Sequence, residues 1–242
     1  MKLSWRRLEQ KRRDASVKSI IVVDNFYDDP FAKREEALTC KYKDRGKYPG
    51  MNSTRRFYND EAMKKIVAIL GTPIQWDLFT SGGRYRISMA TDTFSELDVH
   101  VDLGGTDVTG ISLPQWKGIC YLSLPQDCQG GTSFWRHNKT GLETYPTPGE
   151  QRRVSRITGI PNTPEAIGNY FTREGFDRSH WTEIKRVLMV FNRLLLFKSN
   201  LFHTGTSFQF GTTRENCRLI QAFNFNEADH LIKMLMPYHE SP

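Results

Sequence analysis

The stretch HVDLGG, residues 100–105, places a histidine and an aspartate two positions apart. His100 and Asp102 could be two ligands of one metal ion, or a chance pair in an exposed loop. The pair alone does not decide between these interpretations, and two side chains do not complete a metal site. The rest of the sequence must therefore supply a third ligand and a pocket.

A third candidate ligand, His203, follows the apolar run RLLLF (193–197), which predicts a strand buried on both faces. Arg218 lies further on, within CRLIQAFNF (217–225). An arginine among core residues is costly unless it pairs with an anion. Two histidines and one carboxylate leave open positions on one face of a metal, as in non-haem Fe(II) oxygenases. We therefore predict that His100, Asp102 and His203 are both metal ligands and catalytic residues.

The composition is that of an ordinary globular protein. The chain has 242 residues, of which 38% are hydrophobic and 25% charged, and its formal net charge is +7. These values predict a single domain over residues 1–242, and the basic excess weakly favours anionic partners. The sequence contains no apolar run long enough for a membrane span and no apolar N-terminal stretch, and four irregularly spaced cysteines indicate reduced thiols. We expect a cytoplasmic protein that does not bind membranes.

The hydrophobic pattern predicts short strands with helices before and between them. Strands are expected within 18–29, 84–90, 116–125, 130–135, 188–199, 200–205 and 217–225, and helices over 29–40, 59–70, 163–175 and 177–187. This order favours a β-sandwich with helices packed outside. An N-terminal strand and helix region of about 1–80 would precede a β core of about 81–226. The basic first fourteen residues could be a solvated turn or helix, or a patch for a nucleic acid or an acidic partner.

With these candidate residues in place, the sequence resembles the 2-oxoglutarate/Fe(II)-dependent dioxygenases of the prolyl-hydroxylase-like type. The family motif HxD…H…R corresponds to His100, Asp102, His203 and Arg218, and GGTSF (130–134) resembles the family's Gly-Gly turn. CYLSLP (120–125) resembles a family strand whose tyrosine, here Tyr121, contributes to the cosubstrate site. The stretches VVDNFYDDP, GGTSFWRH and FNRLLLF also resemble a small, mostly uncharacterised oxygenase-like group.

The resemblance covers roughly residues 80–226 and implies a fold, cofactors and site residues. The fold would be mainly β with flanking helices, around a double-stranded β-helix (jelly roll, cupin-like) core. The cofactors would be Fe(II), 2-oxoglutarate and O2, with Arg218 and Tyr121 binding 2-oxoglutarate. Many relatives carry Ser or Thr two positions after the arginine. This chain has Ile220 there, so Arg218 and Tyr121 would bind the far carboxylate without that hydroxyl.

The implied activity is hydroxylation of an unactivated C–H bond of an amino acid or related small molecule, with succinate and CO2 as co-products. Asp102 favours hydroxylation over halogenation, while desaturation and ring formation stay open. The alternatives are a peptide or protein side-chain hydroxylase and a non-catalytic β-helix binding protein. A nucleic-acid oxygenase is disfavoured because no second arginine closely follows Arg218 and the basic residues are spread along the chain. The oligomeric state is left open.

Four further residues are candidates for substrate binding. Arg84 and Arg86 share one face of a predicted strand by two-residue alternation, and could hold a substrate carboxylate or form surface ion pairs. Trp135 and His137 could line the pocket mouth, with core packing of Trp135 and exposure of His137 as the plainer interpretations.

The polar segment 138–186 is too long for an ordinary connection. Its ends adjoin two stretches that by resemblance flank the metal. We therefore predict a lid-like segment that covers the active site and contacts the substrate together with the loop 43–54. The alternative is a surface insertion without a role in the site.

Overall fold

The computed structural model of the protein describes residues 19–44, 49–77, 82–92, 98–102, 115–207 and 210–228. This part of the chain forms eleven strands and four α-helices. The strands are β1 (Ile20–Val23), β2 (Tyr42–Asp44), β3 (Met51–Ser53), β4 (Ile74–Trp76), β5 (Tyr85–Ser88), β6 (Trp116–Tyr121), β7 (Gly131–His137), β8 (Trp181–Leu188), β9 (Leu194–Lys198), β10 (His203–Thr206) and β11 (Arg218–Glu227). The helices are α1 (Pro30–Leu38), α2 (Asp60–Leu70), α3 (Pro148–Thr158) and α4 (Pro164–Glu174). The basic first fourteen residues lie outside the described ranges.

The strands form two antiparallel sheets. The larger sheet has the order β1-β9-β6-β11-β5-β3-β2, with β4 also paired to β11, and the smaller has the order β10-β7-β8. His100 adds an isolated bridge to His203 on the β10 edge of the small sheet. From β5 onward the chain therefore passes repeatedly between the sheets. A mainly β fold with flanking helices is confirmed.

Each face of the large sheet has a different neighbour because side chains alternate along a strand. On β6, the buried Cys120 belongs to a core cluster that includes Ala62 and Ile66 of α2. The next residue, Tyr121, belongs to a second cluster that includes Phe134 of the small sheet. Full burial of Ile66 contributes roughly 1.5–3 kcal/mol. The inner face of the large sheet is thus left for contacts with the small sheet and for the pocket described below.

The local sequence accounts for three predicted helices. Asp29 caps α1 by accepting a hydrogen bond from the Ala32 amide at 2.9 Å, and Asn59 caps α2 through the Ala62 amide at 2.7 Å. Gly71 ends α2 in the left-handed conformation, with φ of 69°. Thr163 caps α4. Such caps satisfy amides that have no partner within the helix.

The helix predicted over 177–187 is wrong. Asp177 does accept a hydrogen bond from the Ser179 amide, but it caps only the short 3-10 turn Arg178–His180. The following residues form β8, which pairs with β7 along its whole length. A register shift within β8 turns the buried side chains of Trp181 and Val187 to opposite faces, where they join different core clusters, so packing against the core overrides the helical cap signal.

Three other predictions need correction. The single strand expected over 188–199 is broken near Asn192, whose φ of 61° marks the turn between β8 and β9. The loop 43–54 contains β3. Helix α3, absent from the prediction, begins at a capping box between Thr147 and Glu150. In the described part of the chain, no helix is both long and apolar enough to cross a membrane.

Candidate active site

The structure brings His100, Asp102 and His203 together. Their ligand atoms all lie within 4.8 Å of one another, and the Nε2 atom of His203 is 3.3 Å from Oδ2 of Asp102. Main-chain hydrogen bonds place these residues. His100 and His203 bond to each other, and the Asp102 amide donates to the Ser199 carbonyl at 3.0 Å. The predicted convergence is confirmed, and binding of a metal by this cluster stays a prediction.

Backbone carbonyls orient both imidazoles. The Nδ1 atom of His100 is 2.9 Å from the Asp98 carbonyl oxygen, and Nδ1 of His203 is 2.8 Å from that of Leu201. A carbonyl only accepts hydrogen bonds, so each Nδ1 carries a proton, and Nε2 is the ring nitrogen of each histidine that can bind a metal. Metal-binding histidines almost always have such a partner on the second nitrogen.

The charges of the cluster also fit a divalent metal. Burial, with a further effect from His203, lowers the pKa of His100 to about 4, which keeps the imidazole neutral. Burial by itself would raise the pKa of Asp102, but Lys117, His203 and His100 together hold it well below its usual value. Two imidazoles and one carboxylate are the donor set of non-haem Fe(II) sites.

A pocket with a volume of about 160 Å³ adjoins the cluster, roughly ten times the space that one water needs. Its walls come from both sheets. The lining residues are Arg86, His100, Asp102, Lys117, Gly118, Ile119, Thr132, Phe197, His203, Gly205, Arg218, Ile220, Ala222 and Asn224. The cluster and the predicted cosubstrate arginine therefore share one pocket.

Arg218 begins β11, and its side chain is almost completely buried, with 2% exposed. Burial lowers its pKa to about 10, although the guanidinium stays charged at neutral pH. Tyr121 is buried behind the lining, and its hydroxyl lies 3.0 Å from Oγ1 of Thr132. Thr132 lines the pocket, so Tyr121 can act on a bound ligand through Thr132.

The four candidate substrate residues are not all at the pocket. Arg86 lines it and donates hydrogen bonds to Asn52 (2.9 Å) and to the Pro49 carbonyl (2.6 Å), which ties the segment around β3 to the pocket wall. Arg84 is not among the lining residues. Trp135 packs against a third core cluster, beneath the Arg178 guanidinium.

His137 is fully buried, so the interpretation of this residue as exposed is wrong. It lies outside the pocket, where Nδ1 contacts Thr140 at 2.9 Å and Nε2 contacts Glu174 at 3.3 Å. Its ring packs against Trp181 and Phe171. His137 is therefore held by contacts with other protein side chains, away from the pocket.

Sequence reasoning missed three polar residues of the pocket: Lys117, Thr132 and Asn224. A signal for Lys117 was present. Lys117 and Tyr121 are separated by an even number of positions on the same strand, so their side chains are expected on the same face of the sheet. The same alternation from Arg218 along β11 leads to Asn224. The sequence offers no comparable signal for Thr132. Its place at the pocket depends on how the small sheet packs against the large one.

The predicted lid segment 138–186 packs beside the cluster, and no described residue of it lines the pocket. Helices α3 and α4 form a third core cluster with Val99, Phe202 and Trp181. The Gly175 carbonyl accepts a hydrogen bond from the Val99 amide at 2.9 Å. The segment therefore supports the stretch that carries His100 and Asp102, and its role as a lid stays a prediction.

A family model described as "Family of unknown function (DUF6445)" matches residues 6–216, and the chain belongs to this family. A comparison with curated proteins found no match. Among solved structures, the chain is similar to HygX from Streptomyces hygroscopicus with nickel and 2-oxoglutarate bound, at 13% identity and a TM-score of 0.45, covering 94% of this chain and 88% of that one.

Two further solved structures are similar. One is SnoK, a non-heme alpha ketoglutarate dependent carbocyclase from nogalamycin biosynthesis, at 10% identity and a TM-score of 0.46, covering 92% of this chain and 83% of that one. The other is a prolyl hydroxylase from Trichoplax adhaerens in complex with a hypoxia inducible factor peptide, at 13% identity and a TM-score of 0.39, covering 98% of both chains.

Proposed function

We propose that this member of the DUF6445 family is an Fe(II)- and 2-oxoglutarate-dependent oxygenase that hydroxylates an unactivated C–H bond of an amino acid or related small molecule. The observation that carries the proposal is the shared pocket of the His100, Asp102 and His203 cluster and the buried cation Arg218. A metal-ligand set together with a deeply buried guanidinium suits a cosubstrate that chelates a metal and ends in a carboxylate.

The fold proposed for this site is a double-stranded β-helix. After β5 in the large sheet, the chain reaches the small sheet at His100, returns in β6, forms β7 and β8 in the small sheet, and then alternates through β9, β10 and β11. Eight segments that alternate in this way between two facing antiparallel sheets have the strand count of a jelly roll.

In this proposal His100, Asp102 and His203 hold Fe(II) and Arg218 binds the distal carboxylate of 2-oxoglutarate. When bound, the metal with 2-oxoglutarate and O2 supplies the oxidising power, with succinate and CO2 as co-products. Thr132 provides a hydroxyl on the wall facing Ile220, held in place by Tyr121. It supplies the hydroxyl that the chain lacks at position 220.

The apolar lining then serves to exclude water. Ile119, Ile220 and Phe197 are among the residues that line the pocket shared by the metal ligands and Arg218. A low-polarity wall strengthens the pairing of Arg218 with a carboxylate, because charges interact more strongly away from water. It also limits the access of water to the bound cosubstrate. The chain's own contribution is thus binding, orientation and exclusion of solvent.

The proposal is tested by measuring succinate released from 2-oxoglutarate under air, with and without Fe(II). Wild-type protein is expected to release succinate only when Fe(II) is present, and Asp102→Ala to release none. A matched control is Asp177→Ala, since Asp177 lies on the exposed 3-10 turn outside the pocket. Equal succinate release by wild type and Asp102→Ala would contradict the proposal.

A further inference from the structure

Lys117 and Arg218 lie toward opposite ends of the pocket. Every second residue of β11 from Arg218 to Asn224 lines it. In the sheet register, Ile220 pairs with Tyr121, whereas Asn224 pairs with Lys117. An extended strand rises about 3.4 Å per residue, so the main chains of Arg218 and Asn224 are roughly 20 Å apart.

The metal-ligand cluster lies near the Lys117 end. The Nζ atom of Lys117 is 3.6 Å from Oδ2 of Asp102. Phe197, the register partner of Lys117 on β9, packs its ring 4.7 Å from the ring of His203. A ligand that reaches from the cluster to Arg218 therefore extends away from Lys117. Lys117, which also pairs with Asp102, and Asn224 line the part of the pocket that such a ligand does not reach.

The chemistry of this end selects an anion. The Lys117 side chain is only 14% exposed, and its ammonium group carries three hydrogen-bond donors. Asn224, 2% exposed, lines the wall beside it and has an amide that can donate to a second oxygen. Register partners on adjacent strands have Cβ atoms about 5 Å apart, so both side chains can reach one carboxylate.

We propose that Lys117, together with Asn224, binds a carboxylate of the substrate that is oxidised, which makes that substrate an anion. This inference rests on the proposed function, because that function assigns the Arg218 end to 2-oxoglutarate. A carboxylate held beside Asp102 fixes the distance of each substrate carbon from the metal. Lys117 is then a specificity-determining residue.

The test uses propionate and its neutral analogue of similar shape, propionamide. Each is titrated without oxygen into protein loaded with Fe(II) and saturating 2-oxoglutarate, and the charge-transfer absorption band of the loaded protein is followed. The variant Lys117→Met keeps the length of the side chain and removes its charge. The control Lys185→Met makes the same change at an exposed position of β8.

We expect propionate to shift the band at lower concentration than propionamide, and Lys117→Met to weaken propionate binding by roughly 10- to 100-fold. Lys185→Met is expected to bind propionate as wild type does. Equal binding of the acid and the amide, no binding of either, or unchanged propionate binding by Lys117→Met would overturn the inference.

Two outcomes separate this inference from the proposed function. If Fe(II) and 2-oxoglutarate produce no band in wild-type protein, the proposed function itself fails. If the band forms normally but propionate abolishes it by displacing 2-oxoglutarate, or Lys117→Met weakens 2-oxoglutarate binding instead, only the assignment of Lys117 to the substrate fails.

Discussion

The main chains of His100 and His203 hydrogen-bond to each other in both directions, with N–O distances of 3.0 and 2.8 Å. Two candidate ligands from distant parts of the chain are thus held side by side by backbone bonds. Neither bond involves an imidazole, so the pairing does not depend on a bound metal or on the side chains themselves.

Replacement of His203 by Ala is therefore expected to remove metal binding while the fold is kept. One of three protein ligands is lost, and we expect Fe(II) affinity to fall by more than about 100-fold, beyond the effect typical of residues that only orient a ligand. Metal titration and thermal unfolding measure the two properties. His180→Ala, at a half-exposed histidine outside the pocket, is the matched control. Unaltered metal affinity in His203→Ala would exclude His203 as a ligand.

Arg218→Ala is expected to raise the 2-oxoglutarate concentration needed for half-maximal succinate release. A buried charge-assisted pair is lost, which typically costs about 2–5 kcal/mol. The control Arg136→Ala removes an exposed arginine of β7 that pairs with Glu143 and is not among the residues that line the pocket. An unchanged 2-oxoglutarate requirement would remove Arg218 from the cosubstrate site.

Gly175→Ala tests the support that the segment 138–186 gives to the ligands. The φ of Gly175 is −59°, which any residue adopts, but an added Cβ would meet the Val99 carbonyl oxygen far inside contact distance. The shift would reach His100, the next residue, and we expect Fe(II) affinity to fall by at least about tenfold.

Gly149→Ala is the matched control, because a Cβ at Gly149 meets nothing within 4 Å. That variant should stay within about 1 kcal/mol of wild-type stability, with normal Fe(II) affinity. If Gly175→Ala also binds Fe(II) normally, the contact between Gly175 and Val99 does not position the ligand stretch.

The buried His137 predicts a pH-dependent stability. Burial lowers its pKa below the usual value, while Glu174 opposes this and the nearby His180 and Lys139 reinforce it. In the unfolded chain the imidazole takes up its proton near pH 6.5. Below that pH the unfolded chain binds more protons than the folded protein, so the free energy of unfolding falls as the pH falls.

Denaturant unfolding of wild type and His137→Gln between about pH 7 and pH 5 measures this contribution. Glutamine does not titrate in this range, so the free energy of unfolding of the His137→Gln variant should change less with pH than that of wild type. Equal pH dependence in the two proteins would show that His137 takes up its proton equally readily in the folded and unfolded states.

The parts of the fold that could be predicted depend on local chemistry. Asp29, Asn59 and Thr163 cap helices through their own amide neighbours, so the sequence at each helix start is enough. The HxD pair and His203 were likewise found as residue types at given spacings. The stretch after Asp177 shows the limit, since its cap signal was outweighed by pairing with β7.

The rest of the site depends on contacts between the two sheets. Thr132 reaches the pocket because Tyr121 of the large sheet lies against it, and Lys117 because β6 crosses near Asp102. Such neighbours are set by three-dimensional packing. Strand alternation indicates that Lys117 shares a face with Tyr121, but not that it lies beside Asp102. His137 illustrates the same point, because Glu174, its partner, lies 37 positions away along the chain.

The central claim is tested most directly by a crystal structure of the protein with Mn(II) and 2-oxoglutarate, in which anomalous scattering locates the metal. The account predicts a single metal bound by the Nε2 atoms of His100 and His203 at about 2.0–2.2 Å and by an Asp102 carboxylate oxygen. The distal carboxylate of 2-oxoglutarate should pair with Arg218. A metal bound elsewhere, or a 2-oxoglutarate molecule that does not contact Arg218, would contradict it.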